Sequence, residues 1–193
     1  MGSPSARLPL VDDGSPFSYH RRLFRANEYM SEPIFEAIQQ FLRDAGVPFR
    51  SIHHEPTRTS QDAARIRGEE LRTGGKELLL KVGDGFKLVV MSASLKLDSP
   101  ATKRTFGVKK LRFATAEELR ETTGLVPGSV PPFGHPILPF ELSVDESIQK
   151  NDRIAFNAGS LTDSIIMAVD DYFAVANPST IARFAKPTSD LDE

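Results

Sequence analysis

A lysine that opens an apolar run is the residue whose setting here most demands a chemical explanation. Lys76 begins the run Lys76-Glu77-Leu78-Leu79-Leu80-Lys81-Val82, and Asp84-Gly85 separates that run from Phe86-Lys87-Leu88-Val89-Val90-Met91. Asp-Gly tolerates the positive φ angles of a tight turn, so the spacing predicts a hairpin with strands near 76–82 and 86–92. Side chains alternate faces along a strand, which places Lys76 with Leu78, Leu80 and Val82 and leaves Glu77, Leu79 and Lys81 on the other side. An ammonium bordering an apolar face must reach solvent, a carboxylate or a bound anion, because an unpaired buried charge is very costly. Snorkelling at a strand end would satisfy it without function. Binding a phosphate would satisfy it with one.

Other residues offer weaker chemistry. Thr59 or Ser60 can cap a helix running to Arg67, and the free N–H groups of such an N-terminus could help to hold a polar or anionic ligand near the hairpin. Arg65 and Arg67 on that helix read as solvated. The segment 124–136 holds three glycines and four prolines in thirteen residues. A loop of that kind has a largely predetermined shape and leaves backbone groups free, as either a ligand wall or a rigid surface loop would. His53, His54 and Glu55 are adjacent, but neighbouring strand side chains diverge and no third partner sits at a metal-ligand spacing, so no metal site is expected.

The elements that must position these residues follow from the pattern. With 193 residues, 39% hydrophobic and 26% charged, the chain can bury one sizeable core. A net charge of −2 and a pI near 6.1 exclude a protein that coats nucleic acid through bulk charge, so any RNA contact is small and local. Without cysteine there are no disulfides, thiolate nucleophiles or sulfur-ligated metals. The absence of a long apolar run and of a signal-peptide core leads to the expectation of a cytoplasmic protein with no membrane contact. Residues 1–30 read as a flexible leader carrying Arg21, Arg22 and Arg25. Residues 31–186 read as a single domain, and 187–193 as a polar tail. Within the domain the pattern predicts a helix from Ser31 to Gly46, a strand over 47–56, a helix from Ser99 to Gly107 and a basic strand over 109–113. Beyond these come a capping box at Thr115–Glu118, strands over 137–145, 153–160 and 164–169, and a last helix over 178–184 capped by Asn177. The expected class is α+β, with a mixed, strongly curved, barrel-like sheet flanked by helices.

Three blocks, Lys76-Glu77-Leu78-Leu79-Leu80-Lys81, then 124–134 from Gly124 to Gly134, then Asn157-Ala158-Gly159-Ser160, together resemble the motifs of the YbaK/EbsC family. That family includes the editing insertion domain of bacterial prolyl-tRNA synthetases and free-standing aminoacyl-tRNA deacylases. The likeness runs from about Ser31 to Phe184. It implies hydrolysis of the ester joining a wrong, small amino acid to the 3′-terminal ribose of tRNA, with no cofactor. Lys76 matches the family's strand lysine, needed for deacylation and placed near the terminal adenosine. Gly128 matches the glycine whose backbone approaches the scissile ester and helps to place water. The motif blocks add Ser129, Asn157, Gly159 and Ser160 as expected substrate-binding residues; the helix N-terminus adds Thr59 and Ser60, and the rigid loop that carries Gly128 adds Phe133 and His135 as walls that set selectivity. The implied partner is the acceptor end of tRNA, with an aminoacyl-tRNA synthetase as a further partner and no DNA. Lys109, Lys110, Arg112 and the arginine arm are the expected phosphate contacts. A non-catalytic module binding an aminoacyl-adenosine-like ligand or a protein is the competing reading.

Overall fold

A computed structural model describes residues 33–57 and 59–188, so the expected leader and its arginines lie outside the described residues. The chain runs α1 (Ile34–Asp44), β1 (Phe49–His53), α2 (Ser60–Arg67), β2 (Gly75–Val82), β3 (Gly85–Ser92), β4 (Leu95–Leu97), α3 (Ser99–Thr105) and β5 (Leu111–Phe113). It continues through α4 (Ala116–Thr123), β6 (Glu141–Asp145), β7 (Arg153–Asn157), β8 (Asp163–Ala168), α5 (Val169–Ala176), β9 (Thr180–Ala182) and β10 (Ala185–Pro187).

The β2–β3 hairpin is the centre of a five-stranded sheet of order β5-β2-β3-β6-β9. Its β2 pairs antiparallel with β3 and β5, whereas β3–β6 and β6–β9 are parallel, so the sheet is mixed as expected. The barrel-like curvature needs correction. The strands divide among this sheet, a three-stranded sheet β1-β8-β7 and a pair β10-β4, and none of the three closes on itself. The hairpin shows why. Leu79, Leu88 and Val90 face the main core with Phe41, Phe133, Phe156 and Tyr172, while Leu80 and Val89 face a second cluster around Phe184. A sheet that is apolar on both faces is covered from both sides rather than wrapped around one interior.

Several local readings shift. The hairpin loop is Gly83-Asp84, not Asp84-Gly85, because Val82 pairs with Gly85 and Gly83 takes the positive φ of 60°. In α1 the apolar stripe falls as expected, with Ala37, Ile38, Phe41 and Leu42 buried, but Pro33 occupies the N-cap. The strand predicted over 137–145 is β6 alone, beginning after Pro139. No helix covers 178–184. Asn177 instead ends α5 in the left-handed region at φ 43°, and Thr180–Ala182 joins β6 as a parallel strand. The buried Asp145 carboxylate fixes the chain just beyond β9, since its Oδ2 accepts from Phe184 N at 2.6 Å and Ala185 N at 2.8 Å. That anchor sets up β10 over Ala185–Pro187, which pairs antiparallel with β4. No described helix is long and apolar enough to cross a membrane.

Candidate functional site

The start of β2, helix α2, the 124–136 loop, the start of α4 and the end of β7 surround a cavity of about 330 Å³. Helix α2 is set in place by its own ends: Thr59 Oγ1 accepts from Asp62 N at 3.1 Å, and Gly68 stops the helix at φ 68°. Ala63, Ala64 and Arg67 occupy its buried face. Arg67 is only 6% exposed. Its Nε donates to Ser164 Oγ at 2.9 Å, Nη1 to Ala155 O at 3.3 Å and Nη2 to Asn157 Oδ1. Asn157 in turn donates from Nδ2 to Gly128 O at 2.8 Å, so the arginine holds the side chain that holds the loop. Behind Ser164 stands His54. Its Nδ1 lies 2.7 Å from Glu55 O, a pure acceptor, so in the neutral ring Nε2 accepts the Ser164 hydroxyl at 2.7 Å.

Gly128 takes φ 89°, and a Cβ there would lie 3.3 Å from Leu161 Cδ2. Its N–H has no hydrogen-bond partner among the described residues. Lys76 is half-buried, its Nζ donates to Leu95 O at 2.6 Å, and burial pulls its pKa below the ordinary lysine value. On the other face of β2, Glu77 also lines the cavity, with Oε1 buried and unpartnered among the described residues. Burial pushes its carboxyl up to about 8 against the opposing pull of the Arg67 charge. Near neutral pH this acid is largely protonated. The cavity therefore carries two cations, one neutral carboxyl and a free peptide N–H on a rigid loop. That set can hold an anion and stabilise developing negative charge.

The sequence profile of the aminoacyl-tRNA editing domain matches residues 54–175, a span that includes β2, the loop and β7. The chain belongs to the aminoacyl-tRNA editing domain family. A multifunctional Ser/Thr-tRNA deacylase, ProXp-y, of Escherichia coli K12 is 34% identical over 146 residues, covering 72% of this chain and 86% of that protein. A proline–tRNA ligase of Macrococcus caseolyticus is 25% identical over 107 residues, 55% of this chain and 18% of the ligase. The crystal structure of a candidate trans-editing enzyme for prolyl-tRNA synthetase superposes with a TM-score of 0.69 at 26% identity, covering 80% of this chain and 98% of that one.

Within this editing domain, Lys76, Gly128, Thr59, Ser60 and Asn157 come together on the cavity. The other expected residues do not line it. Phe133 is buried in the core, edge-on to Phe41, Phe156 and Tyr172. His135 is exposed, next to a cis bond to Pro136. Ser129 latches the loop through Val126 and accepts Gly159 N on its carbonyl at 3.0 Å. Gly159 packs on Ile34, and Ser160 Oγ donates to Asp163 at 2.6 Å. The expected phosphate contact Arg112 is held by Glu118 through two bonds of 2.7 Å. His53 is engaged by Asp163 at 2.7 Å.

Arg67, Glu77 and Phe113 also line the cavity, and sequence reasoning gives none of them a place there. Arg67 is legible in principle, because it falls on the same helical face as Ala63 and Ala64. So is Glu77: strand alternation groups it with Leu79, which proves to be the core face.

Proposed function

We propose that this editing-domain protein hydrolyses the ester between a small, wrongly attached amino acid and the 3′-terminal ribose of tRNA. The observation that carries this reading is the convergence of half-buried Lys76 and the Gly128 backbone on one cavity. Lys76 exchanges Leu95 O for the phosphate or ribose of the terminal nucleotide, since an anion satisfies an ammonium better than one carbonyl does. The unpaired Gly128 N–H is the loop group available to the ester carbonyl, and glycine lets the backbone come that close. Asn157 fixes the same residue from its other side, through the Gly128 carbonyl. Thr59 and Ser60 supply hydroxyls for the substrate's polar groups.

Water attacks the carbonyl carbon, the bond to the ribose oxygen breaks, and that oxygen takes the proton. No histidine lines the cavity among the described residues, and Glu77 is largely protonated near neutral pH. The rate then comes from orientation and electrostatics acting on an already activated ester. Small walls at Ala63, Gly74, Gly75 and Ala93 suit a small side chain, and the ProXp-y relative supports serine and threonine. The partner is the acceptor end of tRNA, met in the cytoplasm after a synthetase has mischarged it. The test is deacylation by purified protein of tRNAs charged with Ala, Ser, Thr and Pro. Turnover of Ser- and Thr-tRNA is expected; no turnover on any of the four would overturn the reading.

A further inference from the structure

An ester on the terminal ribose places the attached nucleobase within one sugar of the scissile bond, so a substrate bound as proposed above must park that base at the cavity rim. The rim carries an unusual residue for such a position. Phe113 is the one aromatic side chain among the cavity's lining residues, yet it is 55% exposed. The described residues carry four exposed large apolar side chains, Ile66, Phe113, Val126 and Ile181; Phe113 is the most open, and of the four it alone lines the cavity. Scattered exposed hydrophobics need no explanation, but the most open of them lining a cavity does.

The backbone under Phe113 is fixed rather than loose. Phe113 pairs with Leu80, and Ala114 N donates to Leu79 O at 2.8 Å. Arg112 Nη1 donates to Phe113 O at 3.0 Å while its guanidinium grips Glu118, which closes the capping box of α4 with Thr115. The Arg112 guanidinium holds the Glu118 carboxyl down at about 2. This scaffolding leaves an aromatic face exposed on an ordered strand, and two exposed lysines, Lys109 and Lys110, precede it without partners among the described residues. A flat apolar face beside free cations is the combination that takes a base and its adjoining phosphate.

We infer that Phe113 is the stacking platform for the 3′-terminal nucleobase of the aminoacyl-tRNA, with Lys109 and Lys110 beside it for the preceding backbone. This rests on the deacylase reading and adds to it a base subsite. Base–aromatic stacking corresponds to roughly 5- to 150-fold in affinity.

The experiment is a two-by-two comparison: wild type and Phe113→Ala, each on a seryl-minihelix with an intact 3′-terminal nucleotide and on one whose terminal base is replaced by hydrogen. Base removal should raise KM for wild type within the range above and leave kcat little changed. On Phe113→Ala the intact substrate should already show that higher KM, and removing the base should change nothing further. Phe113→Tyr should restore the wild-type pattern. Equal penalties for base removal in both proteins, or a Phe113→Ala enzyme indistinguishable from wild type on the intact substrate, would overturn the inference while leaving the deacylase reading in place. Wild type inactive on every charged substrate would instead remove the reading on which it rests.

Discussion

Replacing Arg67 by Met tests how the cavity is held together. The substitution removes three hydrogen bonds from a buried guanidinium, to Ser164, Ala155 and Asn157. Each acceptor left without a donor costs about 1–3 kcal/mol; Ser164 keeps His54, but its one proton goes there, so Asn157 Oδ1 loses its donor unless the hydroxyl turns to it at 3.2 Å and gives up His54. Relief of the desolvation of a buried charge offsets part of the loss. The net expectation is about 2–4 kcal/mol of stability, or a fall in Tm of roughly 5–15 °C for a domain of this size. The catalytic effect should be larger than the stability effect explains. Asn157 loses the partner that aims it at Gly128 O, and a displacement of about 1 Å at a reacting centre costs on the order of 10²-fold in rate. Urea unfolding gives the first quantity, and single-turnover deacylation well below Tm gives the second. The reasoning also requires Arg67 and Asn157 to couple. A double-mutant cycle with Asn157→Ala in which the two rate losses multiply independently, or an unchanged unfolding midpoint for Arg67→Met, would refute it.

The same geometry gives three further expected outcomes. Glu77 binds a proton in the folded state over an interval where the unfolded chain has released it, so stability should fall as pH rises from the ordinary glutamate range through about 8, by at most about 1.4 kcal/mol per unit; Glu77→Gln should flatten that slope, measured as urea midpoints from pH 5 to 9, and an unchanged slope would place the titration elsewhere. Gly128→Ala forces a side chain into φ 89° and should cost about 1–2 kcal/mol with a clear loss of turnover, checked by thermal unfolding and deacylation. Thr115→Ala opens the capping box and should cost about 1 kcal/mol, read as a Tm lower by roughly 2–4 °C.

Much of this architecture is written in local pattern. The stripe of α1, the caps of α2 and α4, the β2–β3 hairpin and the strands β7 and β8 all follow from periodicity and from residues that start or stop an element. The features that were not legible depend on contacts between distant segments. Thr180–Ala182 becomes a strand because β6 offers it an edge and Asp145 anchors the chain just beyond, neither of which is visible in residues 178–184 alone. Barrel-like closure is the expectation from the number of strands, whereas the hairpin's two apolar faces divide them into separate layers. The site divides in the same way. Lys76 announces itself by charge at the head of an apolar run, and Gly128 by its loop. Phe133 and Ser129 sit in the same motif block as Gly128 but turn into the core and the loop itself, because adjacent residues of a folded loop face different surroundings. Arg67 reads on the sequence as a solvated helix end and becomes central only when β7 and β8 bring Asn157 and Ser164 against it.

The central claim is that deacylation needs Lys76, which holds the terminal nucleotide, and does not need Lys81, five residues along the same strand. Lys81 Nζ lies on Asp84 O at 2.7 Å and 4.4 Å from the centre of the Phe86 ring, and it does not line the cavity. The decisive measurement is single-turnover deacylation of Ser-tRNA and Thr-tRNA by wild type, Lys76→Ala and Lys81→Ala, with folding of each variant confirmed by unfolding curves. The account predicts a loss of about 10²–10³-fold for a folded Lys76→Ala, the usual effect of removing one positioned electrostatic group, and near wild-type rates for Lys81→Ala. A folded Lys76→Ala protein that deacylates at the wild-type rate, or a Lys81→Ala protein that does not deacylate at all, would contradict it.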